Sequence, residues 1–117
     1  MAKKPTPPSN PEVQAAVQAL YDSLSQAYWS ASTIDAKDRI YGTEEVLLDT
    51  LTNLAREDIE DRTETFEAAL ENVKPVLARL DQLRADLDKI IHAVKVAAQV
   101  ADAIDQAVKQ LTKYFAV

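Results

Sequence analysis

Hydrophobic residues recur every three or four positions along most of this chain, which is the spacing of an amphipathic α-helix. Between residues 11 and 41 the steps alternate between four and three, as in a heptad seam that packs against another helix. This seam consists of Val13, Val17, Leu20, Leu24, Ala27, Ala31 and Ile34. Pro11 at the first helical position and Gly42 as a C-terminal cap predict helix 1 over 11–41. The alternative, that helix 1 is interrupted near Thr33, is left open.

A second apolar stripe predicts helix 2 over 43–73, with Thr43 as its N-terminal cap. Pro75 follows this stripe and is expected to open helix 3, over 75–115, because proline fits the first turn of a helix. A kink at Pro75 within one continuous helix is the alternative. Helix 3 carries the most regular seam of the chain, formed by Leu80, Leu83, Leu87, Ile90, Val94, Ala97, Ala101, Ile104, Val108, Leu111 and Phe115.

Three amphipathic helices joined by short turns bury their seams by folding against each other. The sequence therefore predicts an all-α fold, an antiparallel three-helix bundle with up-down-up topology and coiled-coil-like heptad packing. The bundle is expected to form a single domain over 11–117, a length typical of one domain. Pro5, Pro7 and Pro8 predict a flexible proline-rich tail over 1–10.

Helix 3 is predicted to be longer than its two neighbours. At about 1.5 Å per residue, roughly ten residues at its C-terminal end extend beyond the other helices. This overhang is apolar and would stand uncovered unless a second copy, another protein or a bend in the chain covers it. Its candidate partner-binding residues are Val108, Leu111, Tyr114 and Phe115.

Aromatic residues gather in helix 1, around the one tryptophan of the chain. On a helical wheel Tyr21 and Tyr28 flank the seam, whereas Trp29 lies about 160° from Val13 and points outward. Tryptophan and tyrosine contribute much of the binding energy at protein interfaces. Tyr21, Tyr28 and Trp29 are therefore candidate partner-binding residues. The alternative is that the tyrosines border the core and Trp29 lies along the surface without a partner.

Charge adds a third candidate surface. The chain has a formal net charge of −6, and acidic residues concentrate in predicted helix 2. A hairpin near Pro75 would set Arg79 and Arg84 opposite part of this acidity. The remainder forms a candidate acidic face of Glu57, Glu60, Asp61 and Glu64. No nucleic-acid partner is expected, because phosphate binding needs a continuous basic face.

The residues that most catalytic sites require are scarce. The chain has no cysteine, one histidine and one glycine, which disfavours thiol chemistry, metal clusters and glycine-rich phosphate loops. His92 is expected on an outward helical face. We expect no enzyme activity, no metal and no cofactor. The chain shows neither a signal peptide nor an apolar stretch long enough to span a membrane, so a cytoplasmic location is expected.

These observations favour a non-enzymatic helical module for protein–protein interaction or oligomerisation, of the scaffold or adaptor type. One alternative is an amphipathic coat protein that opens and binds the surface of a lipid or polymer granule. A further alternative is an acidic inhibitor or immunity-type binder that blocks a basic site on another protein. No motif in the sequence identifies a family.

Overall fold

A computed structural model of the chain describes residues 10–56 and 64–115, with side chains for 11–54 and 71–115. Apart from one isolated β-bridge, these residues form no strand, and the all-α prediction is confirmed for them. The prediction of three helices is wrong, because the described residues form four. The helices are α1 (Asn10–Tyr28), α2 (Ile34–Arg56), α3 (Glu64–Ile90) and α4 (Val94–Phe115).

Each helix packs against the next one in the chain, and α4 also packs against α1. The β-bridge joins Ala31, in the α1–α2 connection, to Ile91, in the α3–α4 connection. The backbone N–H of Ser32 donates to the carbonyl of Ile90 across the same junction, at 2.9 Å. Both connections therefore lie at one end of the bundle, here called the bridged end. The topology is up-down-up-down, with antiparallel neighbours.

The predicted helix 1 breaks at residues 29–33. The hydroxyl of Thr33 accepts a hydrogen bond from the backbone N–H of Ala36 at 3.1 Å, which is the geometry of an N-terminal cap. Ser32 turns its own hydroxyl to the Ile90 carbonyl, at 3.0 Å. Serine and threonine favour such local bonds over helix continuation, so this run of small polar residues ends α1 and starts α2.

The sequence predicted that one helix ends at Gly42 and the next begins at Thr43. This prediction is wrong, because both residues lie inside α2. Thr43 is buried, and its hydroxyl donates to the carbonyl of Arg39 at 2.8 Å. Thr50 repeats the arrangement two helical turns later, where its hydroxyl donates to the carbonyl of Val46 at 2.9 Å. These bonds satisfy hydroxyl groups that would otherwise destabilise the core.

The prediction of a turn at Pro75 is also wrong, because α3 continues through this residue. A proline inside a helix removes one backbone hydrogen bond and costs about 3 kcal/mol. Burial of the apolar stripe on both sides of Pro75 offsets this cost. The buried residues of the stripe are Val73, Val76, Leu80, Leu83, Leu87 and Ile90.

Because no hairpin forms at Pro75, the basic residues after it cannot face the acids before it. Arg84 instead pairs with Asp105 of α4, with Nε and Oδ1 3.2 Å apart. Arg79 points to α2, where its Nε donates to the hydroxyl of Thr43 at 3.1 Å. The predicted pairing of Arg79 and Arg84 with acids of helix 2 is therefore wrong.

The prediction of one long C-terminal helix is also wrong, because residues 91–93 are not helical and separate α3 from α4. The break shifts the phase of the buried stripe: Val100 and Ala107 are buried in place of the predicted Ala101 and Val108, which are only partly buried. As a result α4 folds back beside α1, and the chain has no C-terminal overhang within the described residues.

The core fills the space between the four described helices. On α1 it includes Val13, Val17, Leu20, Leu24 and Ala27, as the sequence predicted. Of the predicted tail over 1–10, residues 1–9 lie outside the described residues, and Asn10 is already the first residue of α1.

Candidate interaction surface

Trp29 occupies the turn that follows α1. Backbone N–H groups of Trp29 and Ser30 donate to carbonyls three residues earlier, so the chain leaves the helical path at this point. The Trp29 side chain is 79% exposed. The predicted outward orientation is therefore found, although the residue lies in a turn rather than on the face of a continuous helix.

Tyr28 connects Trp29 to α2. Its ring meets that of Trp29 edge to face, with centroids 5.3 Å apart. The ammonium of Lys37 lies 5.4 Å from the Tyr28 ring centroid, within the range of a cation–π contact. Tyr21 and Tyr28 are both partly buried against the core. The structure thus joins Tyr28 with Trp29 and places Tyr21 two helical turns away on α1.

The outward face of α2 carries three exposed apolar side chains at intervals of seven residues. Ile34 is 78% exposed, Tyr41 57% and Leu48 46%. Seven residues are close to two helical turns, so the three side chains form a line along the helix. The core side of α2 lies opposite and contains Ala36, Ile40, Thr43, Leu47, Thr50 and Leu54.

We call the set of Trp29, Ile34, Tyr41 and Leu48 the apolar ribbon. From Ile34 to Leu48 the ribbon is about 21 Å long at 1.5 Å per residue. Its fourth member, Trp29, lies in the α1–α2 connection at the bridged end. Such a line of anchors matches the way in which helices dock on one another, through side chains spaced three, four and seven residues apart.

Sequence reasoning missed three members of the ribbon. Ile34 was assigned to the core seam of helix 1, which is wrong because the break at residues 29–33 turns it outward. Tyr41 and Leu48 fell on different helices in the three-helix prediction. The signal that identifies them is the spacing of seven between Ile34, Tyr41 and Leu48, read with α2 as one helix.

Glu44 lies beside the apolar ribbon, on the side of α2 that faces α1. Partial burial raises the pKa of its carboxyl above the usual value, while a hydrogen bond with the Ser25 side chain acts in the opposite direction. Glu44 is therefore a charge held against α1 at the cost of some hydration, and it does not lie along the ribbon.

The predicted C-terminal candidates belong mainly to the core. Leu111 and Phe115 are buried, and Val108 and Tyr114 are partly buried against the same cluster. Tyr114 and Phe115 meet edge to face, with centroids 5.0 Å apart. The overhang that was to expose these residues is absent because α4 packs along α1.

The predicted acidic face falls largely beyond the structure's description. Glu57, Glu60 and Asp61 lie outside the described residues. Glu64 is described only as the first residue of α3.

Other candidate chemistry is sparse in the described part of the chain. His92 lies exposed in the connection between α3 and α4. No group of three or more histidine, aspartate and glutamate side chains is placed there to hold a metal ion. An open cleft of about 530 Å³ separates α2 from α3, with Asp49, Asn72 and Arg79 among its lining residues. Its lining offers carboxylate, amide, hydroxyl and guanidinium groups but no histidine.

The chain matches no protein-family model, no curated protein and no solved structure in the three comparisons made. Among the described helices, none combines the length and apolar character needed to cross a membrane.

Proposed function

We propose that this chain is a non-enzymatic helical interaction module that binds a protein partner through the apolar ribbon. The observation that carries this proposal is the exposure of three large apolar side chains in one line on α2, with the single tryptophan of the chain exposed in the turn that precedes this helix. Scattered apolar residues are normal on protein surfaces, whereas apolar side chains that recur every seven residues on one helical face are typical of a face that packs against another helix.

The anchors are well suited to binding because their geometry is already set. Trp29 is held by its ring contact with Tyr28, and Tyr28 by its contact with Lys37. Ile34, Tyr41 and Leu48 project from one helix, which fixes their spacing. A preorganised surface loses little conformational entropy when a partner binds.

Burial of the ribbon would supply a useful amount of free energy. Full burial of a large apolar side chain is worth about 1.5–3 kcal/mol. Because the four anchors are only 46–79% exposed, burying them would offset part of the cost of association, which is about 4–15 kcal/mol. The partner must therefore also make contacts beyond the ribbon.

Site-specific photocrosslinking in the native cell tests the proposal. A photoreactive phenylalanine analogue at Tyr41 is expected to give a discrete crosslinked band, because position 41 lies in the middle of the ribbon. The same analogue at Gln99, exposed on α4, serves as the matched control and is expected to give no such band.

The band should disappear when Ile34→Ser and Leu48→Ser are added to the Tyr41 photoprobe. Equal labelling from positions 41 and 99, or a band that survives both serine substitutions, would contradict the proposal. Flotation of the unmodified chain with lipid vesicles or polymer granules would instead favour the coat-protein alternative.

A further inference from the structure

We propose that the partner presents an amphipathic α-helix whose apolar seam is bordered by lysine and arginine. This inference rests on the proposed function, since it names the chemistry of the partner that occupies the apolar ribbon. The observation behind it is the charge along one edge of the ribbon.

Exposed carboxylates accompany the ribbon along α2. Asp38 follows Ile34 by four residues and Glu45 follows Tyr41 by four, so each lies one helical turn beyond an anchor. Asp49 directly follows Leu48. On a helical wheel the three acids lie about 20° to 60° from Ile34, on the side away from Lys37. We call Asp38, Glu45 and Asp49 the acidic edge.

The acidic edge is not neutralised by the described part of the chain. None of its three carboxylates belongs to an ion pair among the described side chains. The described basic residues of α2 are engaged elsewhere, with Lys37 over the Tyr28 ring and Arg39 paired with Asp86 of α3. Arg79 of α3 lines the same cleft as Asp49 but forms no ion pair with it. The edge therefore presents unpaired carboxylates beside the apolar anchors.

A second copy of the chain does not fit this surface. A twofold axis through Tyr41 with antiparallel α2 helices would bring the ribbons together, but it would also set Asp38 and Glu45 against the same residues of the other copy. Like charges that face each other across an interface disfavour association. The net charge of −6 adds to the repulsion between copies.

An anionic membrane or a nucleic acid is disfavoured for the same electrostatic reason. The occupant must cover the apolar ribbon and bring positive charge to the acidic edge. A helix with lysine or arginine beside its apolar seam does both. Its apolar residues cover the ribbon, and its basic side chains reach the acidic edge. Opposite charges at the border of an interface also increase the association rate and select among partners.

Three synthetic helical peptides provide the direct test. They are about 21 residues long, enough to cover the ribbon at 1.5 Å per residue. All share one leucine and isoleucine seam, and their flanking positions carry lysine, glutamine or glutamate. Binding to the intact chain is measured by peptide fluorescence anisotropy and by the emission of Trp29, at two salt concentrations.

The lysine peptide is expected to bind most tightly, the glutamine peptide less tightly and the glutamate peptide least. Raising the salt concentration should narrow this difference, because exposed charges are screened. Asp38→Asn, Glu45→Gln and Asp49→Asn together should weaken binding of the lysine peptide by about tenfold, the combined effect of three exposed ion pairs.

The matched control removes three exposed aspartates from α3 and α4, by Asp81→Asn, Asp88→Asn and Asp102→Asn. It changes the net charge equally, so long-range attraction is affected alike in both variants. Binding of the lysine peptide should change by no more than about twofold in this control.

Several results would overturn the inference. These are no binding of any peptide, equal binding of the lysine and glutamate peptides, or equal losses in the two triple variants. Concentration-dependent dimers that Ile34→Ser and Leu48→Ser abolish would also overturn it, because the occupant would then be a second copy. The two proposals can fail separately. If the glutamine and lysine peptides bind equally, but the photoprobe at position 41 of the otherwise unchanged chain still gives a crosslink, the proposed function stands and only the basic partner is rejected. If that photoprobe gives no crosslink, the proposed function itself fails.

Discussion

Gly42 of α2 and Arg79 of α3 face each other so closely that a side chain at position 42 would meet the guanidinium. A β-carbon built at Gly42 would lie 2.7 Å from Nη2 of Arg79, which is closer than such atoms approach in proteins. Arg79 also donates from Nε to the buried hydroxyl of Thr43 at 3.1 Å. The single glycine of the chain thus lets Arg79 cross from α3 to α2.

The first prediction is a coupling between these two residues. Gly42→Ala alone should leave the free energy of unfolding nearly unchanged, because a gain in helix propensity of about 1 kcal/mol opposes displacement of Arg79. In the background Arg79→Ala, the same substitution should stabilise the protein by about 0.5–1 kcal/mol. Urea unfolding of the four proteins in this double-mutant cycle measures the coupling. Equal effects of Gly42→Ala in both backgrounds would contradict the close approach.

The second prediction concerns Pro75. Since α3 runs through an exposed Pro75, Pro75→Ala should restore a helical hydrogen bond and raise the free energy of unfolding by about 1–3 kcal/mol. Ala78→Pro, three residues further along the same helix, is the opposing control and should destabilise by a similar amount. Thermal and urea unfolding measure both. A loss of stability in Pro75→Ala would indicate a turn at this position.

The third prediction follows from the environment of Asp86. A hydrogen bond from Gln82 and the nearby cation of Arg39, whose Nη1 is 2.9 Å from Oδ2, hold the pKa of this carboxyl below its usual value. Its contribution to stability should therefore be fully present above the unfolded-state pKa of about 3.9 and be lost as the pH falls through the lower folded-state value. The free energies of unfolding of the wild type and of Asp86→Asn should differ most near neutral pH and become equal in acid. A constant difference at all pH values would show that the charge is not responsible.

The fourth prediction has the opposite sign, because burial raises the pKa of Glu44. In this case stability should decrease as the pH rises from the unfolded-state value of about 4.3 through the folded-state pKa. Glu44→Gln is therefore expected to melt at or above the wild-type temperature at pH 7. Glu45→Gln, exposed on the same helix, controls for loss of one charge. A clear drop in melting temperature for Glu44→Gln alone would contradict the pKa direction.

Much of the local structure could be predicted from the sequence, because helical periodicity reports burial directly. Val13, Val17, Leu20 and Leu24 form the core face of α1 as expected. The outward Trp29 was also predicted. Periodicity, however, does not locate a break when the apolar pattern continues on both sides of it.

The two breaks illustrate this limit. Residues 30–33 include cap-forming serine and threonine, but their role depends on the Ile90 carbonyl, which is distant in sequence. Residues 91–93 contain neither proline nor glycine, and the pairing of Ile91 with Ala31 is a tertiary contact. Conversely, Pro75 and Gly42 gave strong local signals for turns that packing overrides. The interaction surface was incompletely predicted because Ile34, Tyr41 and Leu48 share a face only when α2 is one helix.

The fifth prediction tests the central claim, that the ribbon on α2 is exposed for binding and not for folding. The measurement is the free energy of unfolding of the double variant Ile34→Ser and Leu48→Ser, made beside the photocrosslink from position 41. Ile40→Ser, a core substitution one residue from Tyr41, is the destabilising control and should cost about 2–5 kcal/mol. We expect the double variant to change stability by no more than about 1 kcal/mol while the crosslink is lost. A loss of several kcal/mol in the double variant, or a crosslink that persists at full strength, would contradict the account.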